Sequence, residues 1–141
     1  MGYRSTVAYS IRFTPNNQDT KQEELKGSFE LFLTQAMKHE DTARCFDDSD
    51  SDNLSVDVDG CAINFLAEDV KWYEDYADVK CHEDLLQMAR DWIEEDNPHS
   101  QYLGYAFARV GEDAQDIVEE VGGNADYDWV SVSRQVIVDW M

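Results

Sequence analysis

Positive charge is scarce in this chain. Only 11 of its 141 residues are Lys or Arg, against 31 Asp or Glu, for a formal charge of −20 and an isoelectric point near 4.1. Direct binding to nucleic acid needs cations that neutralise phosphates and release counterions, so this composition excludes it. Docking on an anionic membrane is opposed for the same reason. Cysteine is sparse too: Cys45, Cys61 and Cys81 form no CxxC pair and no disulfide framework, which fits a reducing cytoplasm. No apolar run is long enough for a signal-peptide core or a membrane span. There is no HExxH, no glycine-rich phosphate loop, no nucleophile elbow and no long internal repeat. No enzyme is expected, and no cofactor.

What is present argues for a folded domain. Hydrophobic residues make up 43% and aromatics 12%, with four Trp and seven Tyr, unlike a disordered acidic tail. At about 100–200 residues per domain, 1–141 is one domain. The charge is unevenly placed. Residues 1–46 hold six basic and six acidic groups, and residues 47–141 hold five basic and 25 acidic ones. The excess therefore begins at Asp47. This predicts a one-sided acidic face, with the N-terminal elements forming the other side.

Tyr3–Phe13 reads as a strand, because Val7, Tyr9, Ile11 and Phe13 alternate with Ala8, Ser10 and Arg12. After the turn Pro15-Asn16-Asn17, a helix follows, with Thr20 and Glu23 as a capping box and Leu25, Phe29, Phe32, Leu33, Ala36 and Met37 at helical spacing. An acidic loop at about 47–53 leads to a strand with Leu54, Val56 and Val58, then to a second short strand around Ala62–Leu66. A second helix is predicted near Val79–Glu95, with Leu85, Leu86, Ala89, Trp92 and Ile93 inward and Asp84, Asp91, Glu94 and Glu95 outward. Strands at Tyr102–Val110 and Ile117–Val121 follow, and Val130, Val132, Val136 and Val138 mark a closing strand. The order β-α-β-β-α-β-β-β predicts an α+β domain: an antiparallel sheet with two helices packed on one face. Its core is a split-βαβ (ferredoxin-like) arrangement with added C-terminal strands.

Two patterns carry chemistry. Asp48, Asp50, Asp52 and Asp59 fall at positions 1, 3, 5 and 12 of a calcium-loop spacing. Asn53 stands where glycine is required, Ser55 where an apolar residue is usual and Asp59 where a longer Glu would bind through both oxygens. A calcium-binding or structural role for this loop is therefore the alternative reading. A Cys81–His82 dyad is set aside, since sequence neighbours on a helix do not face each other. The main pattern is acid interleaved with large rings: Trp72, Tyr73, Glu74 and Asp75, then Asp126 and Asp128 around Tyr127 and Trp129. Rings fill pockets and charges steer encounter, as in protein interfaces. Residues two apart on a strand project to one face about 6.6–6.8 Å apart, so Asp57 and Asp59 are expected as a negative row, and Asp91 and Glu95 as a helical one. Asp47, Asp48, Asp50, Asp52, Asp57, Asp59, Glu119 and Glu120 join Trp72, Tyr73, Glu74, Asp75, Asp126 and Asp128 as the expected partner-binding set. Such rows resemble a nucleic-acid backbone, which implies a partner with a basic DNA- or RNA-binding surface. The charge far exceeds the magnitude of about 2–8 that solubility needs.

Several segments together resemble a group of small, uncharacterised bacteriophage and prophage proteins: Met1-Gly2-Tyr3-Arg4-Ser5 with Val7-Ala8-Tyr9, Asp69-Val70-Lys71-Trp72-Tyr73, and Tyr105 to Asp113 with Asp116-Ile117. Val132-Ser133-Arg134 extends the likeness. That resemblance implies a phage-type protein made in a bacterial cytoplasm, and by analogy an inhibitor of host defence of the anti-CRISPR or anti-restriction kind. It carries over no catalytic residues.

Overall fold

The computed structural model describes residues 4–46, 53–73, 77–95, 98–113, 115–125 and 129–130. Strand β1 (Ser5–Phe13) turns its odd residues inward: Val7, Tyr9, Ile11 and Phe13 are all buried. Helix α1 (Gln22–Lys38) follows and buries Leu25, Phe29, Phe32 and Ala36. Its start differs from the expected capping box. Lys21 is the N-cap without a side-chain cap, and the Thr20 hydroxyl donates to the side-chain oxygens of Asn16 and Asn17 instead. The helix begins one residue later than that box requires, so Glu23 is the second helical residue rather than the third. Met37, expected inward, is 53% exposed.

At His39 the backbone becomes extended and α1 ends. A short helix α2 (Glu40–Ala43) starts there, capped by the His39 ring, which accepts from the Asp41 amide at 3.2 Å. A 3₁₀ turn, Arg44–Phe46, carries the buried Cys45. Strands β2 (Leu54–Asp57) and β3 (Ala62–Val70) form a hairpin, and α3 (Ala77–Glu94) comes next. A second 3₁₀ turn, Ser100–Tyr102, opens into β4 (Leu103–Gly111), which pairs with β5 (Ile117–Gly123). The expected closing strand falls on Val130 and residues outside the described set, and so does most of the acidic loop.

The five strands lie in the order β2-β3-β1-β4-β5, every neighbouring pair antiparallel. The first four reproduce the split-βαβ arrangement, with β3 placed between β1 and β2, and β5 extends the far edge. The domain is α+β. Phe13 touches both long helices: its ring lies 5.9 Å from Phe29 and 5.8 Å from Phe32 on α1, and 6.1 Å from Trp92 on α3. Phe32 and Trp92 meet edge to face at 5.1 Å, which joins the two helices directly. Leu85, Leu86, Ala89 and Trp92 are buried as their spacing predicts. No described helix is long and apolar enough to cross a membrane.

Candidate functional site

The helices enclose a polar groove of about 320 Å³. Gln35, His39, Asp41 and Thr42 line it from the α1–α2 side, and Asp84, Gln87, Met88, Asp91, Trp92 and Glu95 from α3. Four of these are carboxylates, and no Lys or Arg is among the described residues that line it. Asp84, Asp91 and Glu95 share a side of α3 because offsets of seven and four residues return to nearly the same helical face. Trp92 donates from its indole nitrogen to Gln35 Oε1 at 3.3 Å, tying the groove's two walls together. Gln87 donates to Asp91 Oδ1 at 2.9 Å. His39 Nδ1 stands 3.8 Å from Asp41, an ion pair only when the ring is protonated.

The placement of charge on α3 is unusual for a helix. A helix C-terminus carries partial negative charge and favours cations. The last turn of α3 has no basic residue, yet Asp91, Glu94 and Glu95 stand there. The guanidinium of Arg90 is divided between the groove wall and the sheet. It donates to Glu120 at 2.7 Å and to Gln87 Oε1 at 3.1 Å, and lies 5.5 Å from the Tyr105 ring centre. Burial works against its charge, but the bonds to Glu120 and Tyr105 prevail and hold its pKa above the ordinary value.

The expected partner-binding residues are distributed differently from the sequence reading. Asp91 and Glu95, expected as a helical row and not in that set, line the groove with Asp41 and Asp84. Asp57 and Asp59 do not form a strand row, because β2 stops at Asp57 and Asp59 lies in the following turn. The Asp57 carboxylate accepts from the Gly60 amide at 3.0 Å, closing that turn, while Asp59 sits 3.8 Å from Lys26. Glu119 is exposed, and Glu120, next to it on a strand, projects to the opposite face and is held by Arg90. Trp72 packs inward on Phe65 at 6.0 Å and His82 at 5.7 Å, and Tyr73 is half-buried. Asp47, Asp48, Asp50, Asp52, Glu74, Asp75, Asp126 and Asp128 lie outside the described residues, which leaves only Asp59 of the calcium-loop positions within them. Residues of α1 and α2 form one wall of the groove, because α1 and α3 pack against each other through Phe32 and Trp92.

A second cluster lies in the interior. Cys45, Cys81 and His82 are all buried, and a ligand atom from each lies within 4.8 Å of the other two. Cys81 and His82 do come within reach of one point, contrary to the expectation for helix neighbours, since both lie on the buried side of α3. Tyr9 bridges to His82 Nδ1 at 2.7 Å, and Phe65 packs on the imidazole at 4.2 Å. Sequence spacing gave no sign of this, since Cys45 and Cys81 lie on separate elements. Comparison with family models, curated proteins and solved structures finds no match for this chain.

Proposed function

We propose that the chain is a phage-type inhibitory binding protein that mimics nucleic acid and occupies a basic DNA- or RNA-binding surface of a host defence complex in the bacterial cytoplasm. One observation carries this reading: the helix-walled groove is lined by Asp41, Asp84, Asp91 and Glu95 with no Lys or Arg among its described residues. A surface that only solubilises intersperses both signs. Here a concave wall of one sign focuses the field and draws in a cationic partner. Two of the carboxylates sit at a helix end where the backbone dipole disfavours them, so the arrangement serves something other than stability.

The test is an affinity pull-down from bacterial lysate at low salt, eluted with a salt gradient and repeated with competing DNA or RNA. A nucleic-acid-binding complex should be retained, released as charges are screened over about 8–10 Å, and displaced by its own nucleic acid. Variants with Asp84→Asn, Asp91→Asn and Glu95→Gln together should lose it. Retention that survives those changes, or that high salt and nucleic acid leave intact, overturns the proposal.

A further inference from the structure

We propose that Cys45, Cys81 and His82 form a zinc site, independent of the acidic groove. The donor set is two sulfurs and an imidazole, which suits zinc and other soft or borderline metals rather than Ca²⁺ or Mg²⁺. The three donors come from two separate elements, the 3₁₀ turn Arg44–Phe46 and α3, and meet within 4.8 Å. Tetrahedral zinc with Zn–S bonds of about 2.3 Å needs its sulfurs about 3.8 Å apart, a spacing that this limit admits with small side-chain rotations.

Burial favours the assignment. All three residues are at most 2% exposed, and none of the cysteines is in a disulfide. Two thiolates, a neutral imidazole and Zn²⁺ sum to zero charge, so the loaded site leaves no net charge in the interior. The surroundings supply what a metal site requires around its ligands. The Tyr9 hydroxyl is hydrogen-bonded to His82 Nδ1 at 2.7 Å, which orients the ring and makes Nε2 the nitrogen that can take an ion without breaking that bond. Phe65, at 4.2 Å from the imidazole, and Trp72, at 5.7 Å, form an apolar wall. Three protein ligands leave a fourth position, which water completes. The ion would fasten residues 44–46 to α3.

The experiment titrates the reduced, chelator-stripped chain with Zn²⁺ against a chromophoric chelator, and with Co²⁺ followed by absorption. One ion per chain is expected, with the d–d bands of a tetrahedral cobalt centre and a sulfur-to-cobalt charge-transfer band. Cys45→Ser or Cys81→Ser should weaken zinc by more than the roughly 10–100-fold that changes at supporting residues cost. Cys61→Ser, a buried cysteine outside the cluster, should leave affinity unchanged. If a serine variant does not fold, the cobalt spectrum of the unmodified chain decides alone. No charge-transfer band, or binding that both serine variants retain, overturns the site and leaves two packed thiols. Either result leaves the groove reading untouched, because the cluster and the groove share no residue.

Discussion

Neutralising the acids on α3 should stabilise the fold while abolishing the proposed binding. Consider Asp84→Asn, Asp91→Asn and Glu95→Gln, which keep shape and retain an acceptor for Gln87 at position 91. Asp91 and Glu95 are separated by an axial rise of about 6 Å. Two unit charges at that distance repel by about 0.7 kcal/mol in water, and a Debye length of about 8 Å reduces this to about 0.3 kcal/mol. Each charge at the negative end of the helix adds about 0.3–1 kcal/mol of unfavourable dipole energy, with no cation in the last turn to offset it. Asp84 lies about 10 Å from Asp91 along the axis and contributes little. The triple change should therefore raise stability by about 1 kcal/mol at physiological salt. Urea unfolding measures it as a higher midpoint with unchanged slope. At about 1 M salt, where the Debye length is about 3 Å, most of the gain should vanish. A triple variant destabilised by about 1 kcal/mol or more would refute the reasoning, because the carboxylates would then be holding the structure.

Three further outcomes test the core and its chemistry. Phe32→Ala removes the ring that joins Phe13 to Trp92, and should cost about 3–5 kcal/mol in denaturant unfolding. Gly123→Ala places a methyl group against the Leu103 carbonyl oxygen at a residue with φ of +63°, and should lower stability by about 1–3 kcal/mol, read as a fall in Tm. Burial, with help from Glu120, raises the Tyr105 pKa above its ordinary 10.0, and burial raises Cys61 above 9.0. Their neutral forms are favoured in the fold, so in alkali the unfolded chain releases protons first. This stability is fully present below about pH 9 and is lost as pH rises through the folded values. Tyr105→Phe should flatten that decline above pH 10, measured by thermal melts across an alkaline series.

The fold was largely legible because its strands and helices advertise their buried faces. Val7, Tyr9, Ile11 and Phe13 alternate, and Leu85, Leu86, Ala89 and Trp92 recur at helical spacing, so element type and order followed from period alone. Local competition was harder to read. The Thr20 hydroxyl had two kinds of partner within reach, and only the three-dimensional turn shows that Asn16 and Asn17 take it. The groove was half legible: Asp91 and Glu95 are neighbours by helical geometry, but Asp41 joins them only because Phe32 and Trp92 bring two helices together. Charge counting could not place it, since a segment with no net charge still contributes a wall. The cysteine cluster was invisible, because convergence of Cys45 on Cys81 and His82 depends on how the 3₁₀ turn meets α3.

The position of β1 at the centre of the sheet has a consequence for synthesis. Its partners arrive late: Ser5 pairs with Val70 on one side and with Gly111 on the other. At roughly 5–20 residues per second, the ribosome needs about 5–20 s to make the next hundred residues. Until Val70 is made, about 3–13 s after Ser5, Val7, Tyr9, Ile11 and Phe13 have no neighbouring strand to pair beside. The apolar face of β1 is thus half covered when β3 arrives, and its second edge stays open until β4 is made.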